Sequence, residues 1–296
     1  MTEPIFGRLI TAMVTPFDEN DKVDINRTEE FADRLIKGGT DGLVVCATTG
    51  ESPTVFYDAK IEVFKAVLNS VDHRGKVIAN VGDNCTQDSI DFAKQVEKLG
   101  VDGIMAVVPY YNKPPQEGLY QHFKAIANAV DLPVLLYNIP GRCVINMTAE
   151  TTLRLAHDVD NIVAIKEASG KMDQVSEITA GAPEDFFVYS GDDSATYEIM
   201  KRGGVGVIST ISNVATARMK EIVELCAAGD WERAKQANDA LLPLMDALFA
   251  TTNPILVKEA LKLVGFPVGG VRLPLINATP EQSAELARVM KEVGVL

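Results

Sequence analysis

A lysine closes the apolar run Asn161-Ile162-Val163-Ala164-Ile165-Lys166. An ammonium is costly to bury unless it is paired or neutral. Burial lowers an amine's pKa, and a neutral amine attacks carbonyl carbons. Lys166 is therefore a candidate Schiff-base nucleophile. The plainer alternative is a structural ion pair with Glu167, although adjacent residues of a strand point to opposite faces. Position alone does not separate the two.

Four other places offer compatible chemistry. Tyr137 ends the run Pro133–Tyr137, and its phenol could relay protons while a carbinolamine forms and loses water. Thr48-Thr49-Gly50-Glu51 offers hydroxyls and backbone N–H groups of the kind that hold a carboxylate. Arg142, after Pro140-Gly141, could clamp a second carboxylate bidentately. Tyr110-Tyr111 lies in a proline-flanked turn, where exposed aromatics commonly meet a partner. Each also has a structural reading: packing for Tyr137, a plain ST-turn at Thr48, a solvated surface arginine at 142.

The elements that must carry these residues alternate. Strand-length runs rich in β-branched residues fall at 9–14, 42–46, 76–81, 103–108, 133–138, 162–166, 186–190 and 206–209. Amphipathic segments lie between them, such as 86–99, with Ile90, Ala93, Val96 and Leu99 at helical spacing, and 117–130. Strands that are apolar on both faces, each followed by a helix, predict a parallel sheet covered by helices. Eight such units predict a (β/α)₈ TIM barrel, class α/β. An open doubly wound sheet is the alternative, but no GxGxxG or GxxxxGK[ST] run occurs. An internal echo, Lys37-Gly-Gly-Thr-Asp-Gly against Lys98-Leu-Gly-Val-Asp-Gly and more loosely Arg202-Gly-Gly-Val-Gly, supports a repeat with glycine at each helix C-terminus.

After about residue 225 the pattern turns wholly helical, at 231–250, 253–263 and 280–293, the last opened by Thr279-Pro280. The expected organisation is a catalytic barrel over 1–225 and a helical region over 226–296 packed on it. Barrel active sites lie at the C-terminal strand ends. Lys166, Tyr137, the Thr48 turn and Arg142 all fall there. A buried amine, a phenol, a carboxylate cradle and an arginine suit amine-mediated carbon–carbon chemistry on a small oxo acid, rather than hydride or phosphoryl transfer.

Composition narrows the partners. The formal net charge of −13 disfavours nucleic acid. No apolar run approaches membrane-spanning length, and Met1–Ile10 has no signal-peptide pattern, so a cytoplasmic enzyme is expected. Cys46, Cys85, Cys143 and Cys226 are scattered without a CxxC pair, and His73, His122 and His157 lack ligand spacing. Neither a metal nor another cofactor is expected.

Seven runs, in order, resemble the dihydrodipicolinate synthase / N-acetylneuraminate lyase family across nearly the whole chain. They are ATTGES at 47–52, PYYNKP at 109–114, YNIPGR at 137–142, IKEASG at 165–170, SGDD at 190–193, GGVGVIS at 203–209 and NPILVK at 253–258. Thr-Thr-Gly-Glu in place of the lyases' usual Ser-Thr-Gly-Glu, and the arginine after YNIPG, are similar to the synthase branch. The resemblance implies that Lys166 forms an imine with pyruvate, whose enamine adds to L-aspartate 4-semialdehyde. The product would be 4-hydroxy-tetrahydrodipicolinate, on the diaminopimelate and lysine pathway. It further implies a proton relay of Tyr137, Thr48 and Tyr111, the last from a neighbouring subunit of a homotetramer built from dimers. Thr48 and Thr49 would hold the pyruvate carboxylate, Arg142 the aldehyde's carboxylate, and Gly191 and Ile208 would line the imine pocket.

Two positions depart from the family pattern. Ala47 replaces a usual glycine beside the carboxylate cradle. Lysine-inhibited members tend to carry His and Glu where Lys60 and Asp88 stand here, and Lys60 would repel a lysine ammonium. Weak or absent lysine inhibition is expected. A pyruvate-dependent lyase or dehydratase of the same family acting on a sugar acid is the nearest alternative, and a barrel that only binds an oxo acid is a more distant one.

Overall fold

Strands and helices alternate along residues 3–296, the residues that the computed structural model describes. The order is β1 Leu9–Ala12, α1 Ile25–Lys37, β2 Gly42–Val45, α2 Tyr57–Val71, β3 Lys76–Asn80, α3 Thr86–Glu97 and β4 Gly103–Val107. Next come α4 Gln116–Ala127, β5 Val134–Asn138, the single turn α5 Pro140–Cys143, α6 Ala149–Asp158, β6 Ile162–Glu167 and α7 Met172–Gly181. Then follow β7 Phe187–Ser190, α8 Thr196–Lys201, β8 Gly206–Ser209, α9 Ser212–Ala227, α10 Trp231–Leu248, α11 Ile255–Leu263 and α12 Pro280–Glu292. The eight strands run in chain order round a closed barrel. The ladders β1–β2 and β3 through β8 are parallel. The (β/α)₈ barrel expected from the sequence is the observed fold.

The local reasons are those the sequence offers. β1, β2, β5, β7 and β8 are buried along their whole length, as strands covered on both faces must be. The echoed glycines Gly39, Gly100 and Gly203 stand at φ +102°, +82° and +96°, where a side chain is strained. They end α1, α3 and α8 and turn the chain into the next strand. Thr279 caps α12 through a capping box with Gln282. Boundaries agree with expectation to within three residues. β6 extends to Glu167, so Lys166 is the penultimate strand residue rather than the last. α11 begins at Ile255 rather than Asn253, because Pro254 serves as its N-cap.

By internal packing the chain divides into two compact units. One comprises residues 3–8 with Ile78–Ile208 and carries β4 to β7 with most of β3 and β8. Its core includes Ile104, Met105, Leu135, Leu136, Ile165 and Val188. The other comprises Leu9–Val77 and Ser209–Leu296, with β1, β2 and the C-terminal helices. In it α9 lies against β1, α10 and α11, and α12 lies against α10 and α11. Met219, Ile222, Leu241, Leu244, Leu261 and Met290 are buried there. Among the described residues, no helix is long and apolar enough to cross a membrane, and no group of His, Cys, Asp and Glu could hold a metal ion.

Candidate active site

β5 and β6 pair so that Tyr137 lies beside Lys166 in the ladder. The Lys166 ammonium sits 4.3 Å from the centre of the Tyr137 ring. Both side chains are buried, Lys166 at 4% exposure and Tyr137 at 3%. Burial pushes Lys166 down from 10.5 to about 8. The carboxylates of Asp193 and Asp192 oppose that shift, and the Arg142 guanidinium adds to it. A group titrating near 8 is half neutral at that pH, whereas one at 10.5 is roughly 0.3% neutral.

The alternative pairing with Glu167 is not realised. Glu167 points to the other side of β6, where its carboxylate accepts from Asn138 Nδ2 at 3.0 Å, Gln174 Nε2 at 3.0 Å and the backbone N–H of Ser169 at 2.6 Å. Those bonds tie the ends of β5 and β6 to α7 and leave Lys166 to its own face. Gly191 follows β7, and its N–H donates to Glu167 O at 2.8 Å. A Cβ at Gly191 would lie 3.1 Å from Lys166 Cγ and 2.7 Å from Ala168 Cβ. Any side chain there would crowd the lysine. Ile208, the third residue of β8, is buried.

Arg142 is exposed on α5, close enough for its charge to act on Lys166. The short helix is held by N–H bonds from Arg142 and Cys143 to Ile139 O, both at 3.0 Å. The tyrosine pair divides. Tyr110 is half-buried, its hydroxyl donating to Asp83 Oδ2 at 3.3 Å. Tyr111 stands at φ +73° and is 89% exposed.

Thr48 and Thr49 belong to the other unit, in the turn that leaves β2. The turn closes through Glu51 N–H to Thr48 O and Ser52 N–H to Ala47 O, both 3.1 Å. Ala47 is buried in it. Thr48 is half-buried and Thr49 fully buried. Three residues past β1, Thr15 Oγ1 donates to Gly50 O at 2.7 Å. Lys60 is buried, with its ammonium donating to Ser52 Oγ at 2.9 Å, while Asp88 is exposed in the first turn of α3.

Sequence reading assigned no role to Asp193, Thr210, Asn253 or Lys258. Asp193 is buried and its charge acts on Lys166. Asn253 donates to Thr49, and Thr49 also meets Thr210. The signals available were a second acid in SGDD and two polar residues in the otherwise apolar NPILVK run. Neither says which loop it faces.

The model of the dihydrodipicolinate synthetase family matches residues 5–293. The 4-hydroxy-tetrahydrodipicolinate synthase of Moorella thermoacetica is 52% identical over 291 residues, 98% of this chain and 99% of that protein. Among solved structures, the enzyme from Cyanidioschyzon merolae with lysine bound superposes with a TM-score of 0.97 at 44% identity, covering 99% of this chain and 100% of that one. A monomeric dihydrodipicolinate synthase variant superposes with a TM-score of 0.96 at 42% identity, over 99% of this chain and 98% of that one. Matches of this extent, on a closed barrel with a buried lysine beside a tyrosine, have one reading: the chain belongs to the dihydrodipicolinate synthetase family.

Proposed function

We propose that this protein is a lyase that condenses pyruvate with L-aspartate 4-semialdehyde to give 4-hydroxy-tetrahydrodipicolinate, through an imine on Lys166. The observation that carries the mechanism is the buried Lys166 amine, lowered to about 8 and set 4.3 Å from the Tyr137 ring. The neutral amine attacks C2 of pyruvate, and the carbinolamine loses water to give the imine. Loss of a C3 proton gives the enamine, whose C3 bonds to the aldehyde carbon while the aldehyde oxygen takes up a proton. The amino group of the semialdehyde then attacks the imine carbon, closes the ring and expels the Lys166 amine.

Tyr137 is positioned to exchange these protons, and the family pattern gives Thr48 and Tyr111 as its partners in the relay. Thr48 and Thr49 take the pyruvate carboxylate, Arg142 takes that of the aldehyde, and Gly191 and Ile208 line the imine pocket. The exposure of Tyr111, an aromatic held outward at positive φ, supports a role in the site of a second copy, within a homotetramer.

Borohydride reduction in the presence of pyruvate, followed by peptide mass analysis, tests the first step. An adduct on Lys166 is expected, and folded protein without one would refute the Schiff-base mechanism. A coupled assay with aspartate semialdehyde against a panel of sugar acids tests the second substrate. Replacing Arg142 by Ala should raise the aldehyde KM about 10- to 100-fold, the equivalent of a lost charge-assisted bond. Unchanged aldehyde turnover in that variant would remove the main support for this substrate.

A further inference from the structure

The turn proposed to hold the pyruvate carboxylate is itself gripped by α11. Asn253, buried just before that helix, donates its side-chain amide to Thr49 Oγ1 at 2.9 Å. Thr49 Oγ1 lies 3.3 Å from Thr210 Oγ1. An oxygen that already accepts from Asn253 must send its own proton elsewhere, to Thr210 or to a ligand's carboxylate.

Farther along the turn, Glu51 stands at φ +54°, a conformation that residues other than glycine hold only with support. Its buried carboxylate meets Lys258 Nζ at 2.6 Å and accepts from the backbone N–H of Arg272 at 2.9 Å. Lys258 also donates to Gly270 O at 2.7 Å and lies 3.9 Å from the centre of the Phe17 ring. Pro254 O accepts from the N–H of Lys258, so a single helical turn carries both grips. Without Lys258, a buried anion would remain three residues from Thr48 and would repel an incoming carboxylate.

We infer that Asn253 and Lys258 are positioning residues of the carboxylate cradle, Asn253 directing the Thr49 hydroxyl and Lys258 acting through Glu51. This rests on the reading that Thr48 and Thr49 bind pyruvate. The geometry is that of a site held ready before its ligand arrives.

The test is steady-state kinetics of the full chain, with each substrate varied in turn. Asn253→Ala should raise the pyruvate KM about tenfold, the value of one hydrogen bond to a charged group, while the semialdehyde KM stays within about twofold. The isosteric Asn253→Asp variant keeps the volume but puts an acceptor and a negative charge beside Thr49. Its pyruvate KM should rise at least as far, and further as pH is raised. If the alanine variant fails to fold, the isosteric one carries the test. A pyruvate KM within twofold of the parent, or an equal rise for both substrates, would overturn the inference. Borohydride trapping of the parent protein with pyruvate separates the two levels. Normal trapping with an unchanged variant KM sinks only the α11 role, whereas a parent that traps nothing sinks the reading beneath it.

Discussion

Lys166 titrates where it does because three influences compete. Burial lowers it most, Asp193 and Asp192 raise it, and Arg142 lowers it further. If Lys166 is the nucleophile proposed here, the free enzyme must lose that proton before it attacks pyruvate, so kcat/KM for pyruvate should rise with pH through a limb near 8. Arg142→Ala removes a positive neighbour and should move the limb to higher pH. Asp193→Asn removes a negative one and should move it lower. A pH–rate profile of the three proteins checks both directions, and identical limbs would mean that Lys166 is not the group observed. Lys60 supports a second prediction at this scale. Its buried ammonium, on Ser52, makes a poor neighbour for another ammonium, so low-millimolar lysine should leave the rate within about twofold of the uninhibited value.

Two elements each carry a buried lysine lowered to about 8, and the two should respond oppositely to removal. On β6, Lys166 has no ion pair with Glu167, and its burial costs stability. Lys166→Met should abolish activity and stabilise the fold by about 1–3 kcal/mol at pH 7. The sign follows from proton binding. Between 8 and 10.5 the folded protein holds fewer protons on this group than the unfolded chain, so parent stability rises with pH there. The advantage of the methionine variant should therefore be largest below pH 8 and close toward 10.5. On α11, Lys258 is paired with Glu51 at 2.6 Å. Lys258→Met leaves that carboxylate buried without its cation, and should cost about 3–5 kcal/mol. Denaturant unfolding of both variants across this pH range decides the matter. Equal effects of one sign would contradict the assignment.

For the whole molecule, the exposed Tyr111 is the residue to test. If it serves a second copy's site, Lys166→Ala and Tyr111→Ala subunits are each inactive alone but complementary together. A mixed dimer has one site with both lesions and one with neither. Random exchange should then restore about a quarter of native activity, since half the dimers are mixed and half of their sites are intact. No recovery after exchange, verified by mass, would place Tyr111 outside the relay.

The sequence by itself determined the barrel and the strand ends at which its candidate site residues fall. Eight apolar strand runs with helices between them allow few other closed arrangements, and the echoed glycines mark helix ends that the structure places at positive φ. Lys166 was legible because a cation ending an apolar run is anomalous whatever surrounds it. The Thr48 turn, Tyr137 and Arg142 were legible because barrel chemistry sits at strand ends. Tertiary structure decided what depends on partners remote in the chain. It turned Glu167 away from Lys166 toward Asn138 and Gln174, left Tyr111 in solvent while Tyr110 turned in to Asp83, and brought Asn253 to Thr49 across a separation of 204 residues. Periodicity and residue type report a local environment. They do not report which distant loop shares it, and that is why the hold of α11 on the Thr48 turn appears only in the folded chain.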